Sequence, residues 1–279
     1  MPGESSMGVE MPFAELGPQK RIWYEINGQG ETLVQVPGGG LGLRNFSRVT
    51  PALARHFRVV DFDMVGAGKS TPTPRGYTLQ DWTNDLRDLL DTLAIPRAHL
   101  HGTSTGGLAG LQFAVQHPER VLKMVLVGVV ARNDTALRLT WKVAKALARS
   151  VGMEAVAEMI AQAVLTRDFL DSPEAGPVLD QMRSILGELS PDSFIATTEA
   201  SENVDLGPDL PRITAPTLVI NGEHSTLSPV DTGPQGIGGR GIAQGVRNGR
   251  LVVIKGAGHM VMMERFQEVC DNTIEFLEE

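Results

Sequence analysis

A serine flanked by glycines is the residue of this sequence that best fits a chemical role. Ser104 lies in His-Gly-Thr-Ser-Thr-Gly-Gly at 101–107, which contains G-x-S-x-G. The stretch follows a short apolar run and precedes a helical pattern. Glycines on either side let a strand turn sharply into a helix and expose the serine hydroxyl, above the positive end of that helix. The pattern predicts a nucleophile at Ser104, against the alternative of a merely tight turn.

A histidine late in the chain is the matching base. His259 follows Gly256-Ala257-Gly258, directly after the last predicted strand. Catalytic side chains gather at the C-terminal ends of strands in open parallel sheets. We therefore predict that His259 accepts the proton of Ser104, although a lone histidine can also be structural.

A glycine run can supply backbone donors. Gly38-Gly39-Gly40 ends the third predicted strand, after Val36-Pro37. Without side chains in the way, backbone N–H groups there can face an anion. We expect the N–H groups near Gly39 and of Thr105 to form an oxyanion hole. An ordinary glycine-rich turn is the alternative.

The elements that must position these residues alternate between strand and helix. Short β-branched runs and helical patterns follow one another, as in a parallel sheet with crossover helices. From the third strand onward the runs are nearly all apolar, which is typical of strands covered on both faces. The strands are predicted at 11–16, 20–27, 32–36, 57–63, 98–102, 122–130, 217–221 and 250–254.

Strand patterns vanish between residues 134 and 212. Helical patterns cover 135–150, 153–165, 174–188 and 191–201. We predict a core domain of residues 1–133 and 213–279 and a helical cap of residues 134–212. The glycine-crowded segment Gly233–Gly249 predicts a loop too flexible for a full helix.

Together these motifs resemble the α/β-hydrolase fold superfamily over nearly the whole chain. Asp61–Ser70 is similar to its D-x-x-G-x-G-x-S turn and Pro216–Glu223 to its penultimate strand, and the order of serine before histidine is that of its triad. The resemblance implies a mostly parallel eight-stranded sheet flanked by helices, with a helical cap inserted between strands 6 and 7. Within the superfamily, Phe46–Ser70 is similar to bacterial meta-cleavage-product C–C hydrolases. Val36-Pro37 and Phe62-Asp63-Met64 resemble zearalenone-type lactonases.

The sequence departs from this family where the triad acid should stand. The acid normally lies three residues after the glycine that ends strand seven, and here Ser225 occupies that position. In other members it follows strand six, where this chain has Gly128. In this family the strand that leads into the oxyanion hole usually ends in His-Gly. Here the corresponding third strand is followed by Pro37-Gly38. A displaced carboxylate is one explanation, with Asp134, Glu223 and Asp231 as candidates. Otherwise a hydroxyl or a water holds the imidazole.

Composition excludes several classes of function. The chain has 25 basic and 33 acidic residues, a net charge of -8 and no basic block, so we expect it to bind neither nucleic acid nor membranes. Its single cysteine excludes an internal disulfide and a cysteine-rich zinc site. No cluster of His, Asp and Glu has the spacing of metal ligands, so no metal site is predicted. No apolar run approaches the roughly 20 residues that span a bilayer, so no transmembrane helix is predicted. Met1–Gly8 does not resemble a signal peptide. We expect a cytoplasmic protein without metal or cofactor, in an oligomeric state that the sequence leaves open.

Three further patterns have ordinary explanations. Gly66–Ser70 mimics the end of a phosphate-binding loop, but the carboxylate of Asp63 would repel phosphate. Gly236–Gly241 spells G-x-G-x-x-G with no strand leading into it and no obvious helix after it, which predicts a loop. The first cap helix carries a basic stripe typical of a solvated face, with binding of a carboxylate-bearing substrate as the alternative. That stripe consists of Arg138, Lys142, Lys145 and Arg149.

The sequence therefore predicts a serine hydrolase. Its substrate would be a small or medium hydrophobic ester, lactone or vinylogous carbonyl compound cleaved at a C–C bond. The apolar cap would exclude water from the site. The missing acid keeps two alternatives open: a non-hydrolytic enzyme of the same fold (a lyase, cyclase or cofactor-free oxygenase), and a ligand-binding protein with an incomplete triad.

Overall fold

A single eight-stranded sheet organises the computed structural model, which describes residues 12–279. The strand order is β1-β2-β4-β3-β5-β6-β7-β8. The β1–β2 and β2–β4 pairs are antiparallel and every other pair is parallel. The predicted mostly parallel eight-stranded sheet is confirmed. The strands are β1 Phe13–Gly17, β2 Lys20–Asn27, β3 Thr32–Val36, β4 Arg58–Phe62, β5 Ala98–Thr103, β6 Val121–Val127, β7 Thr217–Gly222 and β8 Gly249–Ile254.

The observed strand bounds differ from the predicted ones mainly at β6. We expected that strand to continue to Val130, but it ends at Val127. Gly128 adopts φ +61°, a left-handed conformation that turns the chain off the sheet. The expected start of the first strand at Met11 lies outside the described residues.

Helices cover both faces of the sheet. The α-helices are α1 Thr50–Leu53, α2 Leu79–Thr92, α3 Ser104–Gln116, α4 Thr135–Ser150, α5 Met153–Val164, α6 Arg167–Leu170, α7 Ala175–Gly187, α8 Pro191–Glu202, α9 Gly239–Gly245, α10 Val261–Glu264 and α11 Phe266–Glu278. Helices α2, α3 and α9 pack on one face and α1 and α11 on the other. Successive strand residues point to opposite faces, so Leu33 enters one core and Val34 the other. This is why the strands are apolar at consecutive positions.

The five helices α4–α8 lie between β6 and β7, where the helical patterns were predicted. Their apolar side chains, including Leu137, Val164 and Met182, pack against Leu227 and Met260 from loops of the sheet. We call residues 135–202 the cap helices. They cover the C-terminal edge of the sheet, and the division of the chain at residues 134 and 212 stays a prediction.

The prediction that residues 233–249 form a loop is partly wrong. It contains α9, which begins inside the G-x-G-x-x-G stretch. Ile242 of this helix is fully buried in the core, and a side chain at Gly239 would collide with Asn221. Burial thus stabilises a helix that intrinsic propensity disfavours. Within residues 12–279, no helix is long and apolar enough to cross a membrane.

Candidate active site

The turn between β5 and α3 presents Ser104. Its φ is +48°, a strained value for a residue with a side chain. The turn is tight because α3 lies directly against neighbouring strands: a side chain at Gly106 would collide with the carbonyls of Val36 and Pro37, and one at Gly107 with Val129. The local sequence therefore folds as predicted, and the serine hydroxyl is displayed at the first turn of a helix.

His259 reaches the same place from the loop after β8. Gly256 takes φ +65° there, and the side chains of Ser104 and His259 line one pocket. The structure records no hydrogen bond between them. Such bonds are often long before substrate binds. Burial lowers the pKa of His259 to about 4, so the imidazole is neutral over most of the accessible pH range.

Two serine hydroxyls lie next to Nδ1, one of the two ring nitrogens of His259. Ser228 Oγ lies 2.8 Å from Nδ1, and Ser225 Oγ lies 3.4 Å from it. The two hydroxyls are 3.0 Å apart, and the N–H of Ser228 donates to Ser225 Oγ at 3.2 Å. We call Ser225 and Ser228 the hydroxyl pair. The acid position of the sequence pattern therefore does face His259, and it holds a hydroxyl.

The three carboxylates considered as candidates for the triad acid form hydrogen bonds or ion pairs with groups other than His259. Glu223 accepts from the N–H of Gly256 at 3.0 Å. Asp134 caps α4 by accepting from the N–H of Leu137, and Asp231 pairs with Arg240 at the surface. Among residues 12–279, none of these carboxylates hydrogen-bonds to His259.

The glycine run lies against the serine turn. A Cβ at Gly38 would be 3.3 Å from Ser104 Cβ, and one at Gly39 would be 3.3 Å from Thr105 Oγ1. The N–H of Gly38 already donates to Asn45 Oδ1 at 3.3 Å, whereas that of Gly39 has no acceptor in the described part of the chain. The N–H of Thr105 lies in the first turn of α3, which lacks a side-chain cap and leaves such donors unpaired. These two N–H groups are thus available to a ligand.

The pocket around these residues is mostly apolar. It has about 800 Å³ of empty space, including its mouth. Residues of the cap helices, with Leu227 and Met260, form its apolar wall: Trp141, Ile160, Val164, Met182, Leu186, Leu189 and Phe194. A smaller chamber shares Ser104, Thr105, Trp141 and Leu227 with it and extends toward Gly128, Val130 and Asn133. No Asp, Glu, Lys or Arg side chain from the described residues lines either space.

Known proteins are similar to this chain in sequence and in overall fold. The sequence profile of the alpha/beta hydrolase fold matches residues 31–152. The RutD protein of Yersinia enterocolitica, named for carbamate hydrolysis, is 30% identical over 213 residues, which cover 75% of this chain and 77% of that protein. The chain belongs to the α/β-hydrolase family.

Two further matches span almost the whole chain. The 2-hydroxy-6-oxononadienedioate/2-hydroxy-6-oxononatrienedioate hydrolase of Paraburkholderia xenovorans is 29% identical, with 98% of this chain and 96% of that protein covered. The crystal structure of the enol-lactonase from Burkholderia xenovorans has a TM-score of 0.87 at 30% identity, over 96% of this chain and 100% of that one. The protein is thus an α/β-fold hydrolase, as the sequence motifs indicated.

Both acid positions known from α/β hydrolases converge on His259 in this protein. A Cβ at Gly128 would lie 3.3 Å from His259 Nδ1 and equally close to Ser228 Oγ. Ser225 occupies the other position, within 3.4 Å of the same nitrogen. The fold therefore brings both acid positions to His259 Nδ1, where a hydroxyl pair stands in place of a carboxylate.

Asp63 links two loops next to the site, a role for which sequence reasoning, which used it in motif comparisons and against a phosphate-binding loop, gave no indication. Its buried carboxylate accepts from the N–H of Leu43 and from the N–H of Lys69, each at 2.9 Å. Side chains at Gly42 or Gly68 would collide with it, which explains the second glycine of the D-x-x-G-x-G-x-S turn, Gly68, and the glycine at position 42. Asp63 thereby ties the loop after Gly38-Gly39-Gly40 to the loop after β4. The carboxylate followed by spaced glycines could have signalled this clamp.

Glu264 holds the histidine loop to the cap helices. Its buried carboxylate accepts from the N–H of Gly258 at 3.0 Å and from the N–H and hydroxyl of Thr166 at 2.9 and 3.1 Å. In addition, the N–H of Met260 donates to the carbonyl of Val164. Sequence reasoning missed Glu264, because nothing but its position shortly after His259 marks it.

The other histidines and the basic stripe lie outside the pocket. His101 is fully buried, accepts a hydrogen bond from Gln35 Nε2 at 3.0 Å, and has its pKa lowered to about 3 by burial. His224 is exposed beside Glu223. In the stripe, Lys145 pairs with Glu202 at 2.8 Å, and none of its four residues lines the pocket. In the described part of the chain no group of three or more His, Cys, Asp or Glu residues could hold a metal ion.

Proposed function

We propose that this α/β-fold hydrolase uses Ser104 as a nucleophile and His259 as its base on an uncharged, hydrophobic ester, lactone or vinylogous carbonyl substrate. The observation that carries the proposal is one pocket in which a strained serine, a neutral histidine and the loop of Gly39 meet. A concave, mostly apolar space with a few convergent polar groups is typical of a binding site for small hydrophobic molecules.

The mechanism follows from the positions of these groups. His259 Nε2 takes the proton of Ser104 Oγ as the oxygen attacks the substrate carbonyl. The N–H groups of Gly39 and Thr105, at the positive end of α3, stabilise the oxyanion. The protonated imidazole then gives its proton to the leaving group, and water hydrolyses the acyl-serine by the same steps.

The lining of the pocket supports an uncharged substrate. A carboxylate buried there would meet no cationic side chain, and burying an unpaired charge is strongly unfavourable. The Paraburkholderia relative is named for a dioate, so we propose that the present protein differs from it in substrate charge. The larger apolar space would take the hydrophobic part of the substrate and the smaller chamber behind Ser104 the other part.

Ester turnover and covalent labelling test this function together. The protein should hydrolyse 4-nitrophenyl butyrate and be labelled once by a fluorophosphonate, and Ser104→Ala should abolish labelling and lower kcat by at least about 10³-fold. Ser184→Ala changes an exposed serine of α7 that does not line the pocket; it is the matched control and should leave labelling and kcat unchanged. A folded Ser104→Ala variant with wild-type activity would contradict the mechanism. A wild-type protein inert to ester and phosphonate alike would favour the ligand-binding alternative.

A further inference from the structure

The hydroxyl pair leaves the imidazole without a charged partner. The nearest side-chain oxygens at His259 Nδ1 are neutral, at 2.8 and 3.4 Å, and Gly128 offers no side chain. A carboxylate only accepts a hydrogen bond, so it fixes the proton on Nδ1 and stabilises the imidazolium. A hydroxyl can donate or accept, and it supplies no negative charge.

This difference acts at one step of the proposed mechanism, on which the inference rests. When Ser104 Oγ bonds to the acyl carbon, its proton moves to His259 Nε2, and the carbonyl π electrons move onto the oxygen. An imidazolium and an oxyanion form together. The N–H groups of Gly39 and Thr105 stabilise the oxyanion, but in the described residues no carboxylate touches the imidazolium. Addition to the carbonyl is therefore the step that the missing acid slows.

We propose that this site selects substrates whose carbonyl is already activated, namely esters or lactones of enols and phenols, over alkyl esters and carbamates. An enol or aryl oxygen donates little electron density to the carbonyl, so a weakly assisted serine can add to it. An alkyl oxygen or a carbamate nitrogen donates more and makes addition harder. After addition, the C–O bond breaks, the enol or phenol oxygen leaves with the electron pair, and the proton on His259 Nε2 neutralises it. Water completes hydrolysis of the acyl-serine.

Ser225 is the position at which the missing charge can be restored. Its Oγ, 3.4 Å from Nδ1, leaves more room for a longer side chain than Ser228 Oγ at 2.8 Å. At Gly128 a Cβ would crowd both the ring and Ser228. Ser225→Asp adds a carboxylate, and Ser225→Asn adds the same shape without the charge, so the comparison isolates the charge.

The experiment is a leaving-group series at constant acyl chain. Butyrate esters from 4-nitrophenol through phenol to ethanol are compared by kcat/KM, which reports acylation, for the wild type and both variants. We expect a steep fall with rising leaving-group pKa in the wild type and in Ser225→Asn. Relative to Ser225→Asn, Ser225→Asp should raise kcat/KM for ethyl butyrate about tenfold more than for 4-nitrophenyl butyrate. An ionised partner strengthens a single hydrogen bond by a free energy that corresponds to about a tenfold change in rate.

The outcomes separate this inference from the proposed function. If the fluorophosphonate labels Ser104 but the wild-type series is as shallow as that of Ser225→Asp, the function stands and the selectivity is refuted. If Ser104 is not labelled, the function fails and the selectivity with it. The dependence of wild-type kcat/KM on leaving-group pKa can be measured without either variant. If Ser225→Asp misfolds, a wild-type kcat/KM that does not fall as the leaving-group pKa rises would still refute the inference.

Discussion

Removing the hydroxyl of Ser228 measures what holds His259 in this hydrolase. In Ser228→Ala the 2.8 Å contact with Nδ1 is lost, and only Ser225 Oγ remains, at 3.4 Å. The local backbone keeps its supports, because Asn221 Nδ2 donates to the carbonyl of residue 228 and the N–H of that residue donates to Ser225 Oγ. The substitution therefore removes one hydrogen bond and leaves the loop in place.

The expected loss follows from the type of bond removed. A hydrogen bond between neutral groups contributes about 0.5–1.5 kcal/mol, which corresponds to a decrease of about 2- to 13-fold in kcat. A charged triad acid contributes far more, since its neutralisation in a serine protease lowers kcat by about 10⁴. The hydroxyl pair orients the ring but does not stabilise its charge, so we expect the smaller number.

Steady-state kinetics with 4-nitrophenyl butyrate provide the assay, with thermal unfolding to confirm that the variant is folded. Ser184→Ala, whose hydroxyl contacts Glu188 at the surface, is the control for a serine-to-alanine change outside the pocket. A loss of 10³-fold or more in a folded Ser228→Ala variant would show that the hydroxyl does the work of a charged acid. Unchanged kcat would show that it does not orient the ring.

Four further outcomes are expected. His259→Ala should lower kcat as much as Ser104→Ala, and the double variant should be no worse, because both residues serve one step; additive losses would separate them. The acid limb of the kcat/KM profile should fall near pH 4, because the base acts when neutral and burial lowers the pKa of His259 to about 4; a limb near 6.5 would contradict this. Glu264→Gln should lower kcat more than it changes KM, and lower Tm by several degrees, since the charged acceptor for Gly258 is lost; an unchanged kcat would remove its positioning role. Burial raises the pKa of Asp61 from 3.8 to about 7. Ionisation of Asp61 therefore destabilises the folded state as the pH rises from about 4 to 7, by up to about 4 kcal/mol. In calorimetry, Asp61→Asn should have a higher Tm than the wild type at pH 8 and a much smaller advantage at pH 4.

The sequence by itself determined the order of strands and helices and singled out Ser104 and His259 as the candidate reacting residues. Apolar runs and helical periodicity are local properties, so the strands and four of the five cap helices were placed to within a few residues; the one-turn helix α6 was not predicted. The clearest local case is α2, where Thr78 and Asp81, three residues apart, form a capping box at the start of the helix. The serine turn was equally readable, because its glycines are required by close backbone packing at fixed positions around Ser104.

Some elements escaped sequence reasoning because their stability is not local. The short helix α9 forms from a glycine-rich segment only because Ile242 is buried and Gly239 fits against Asn221. In the same way, Asp63 and Glu264 act through backbone N–H groups of residues that the fold brings to them. A periodicity or a propensity carries no information about such partners.

The partner of His259 was decided by the tertiary structure alone. The sequence showed that both usual acid positions lack a carboxylate and left Asp134, Glu223 and Asp231 as open alternatives. Only the folded chain brings Ser225 and Ser228 together at Nδ1 while Glu223 turns to the backbone of Gly256. The physical reason is that a hydrogen bond depends on distances of a few tenths of an ångström between residues more than thirty positions apart, and such distances are set by the packing of the sheet and its loops.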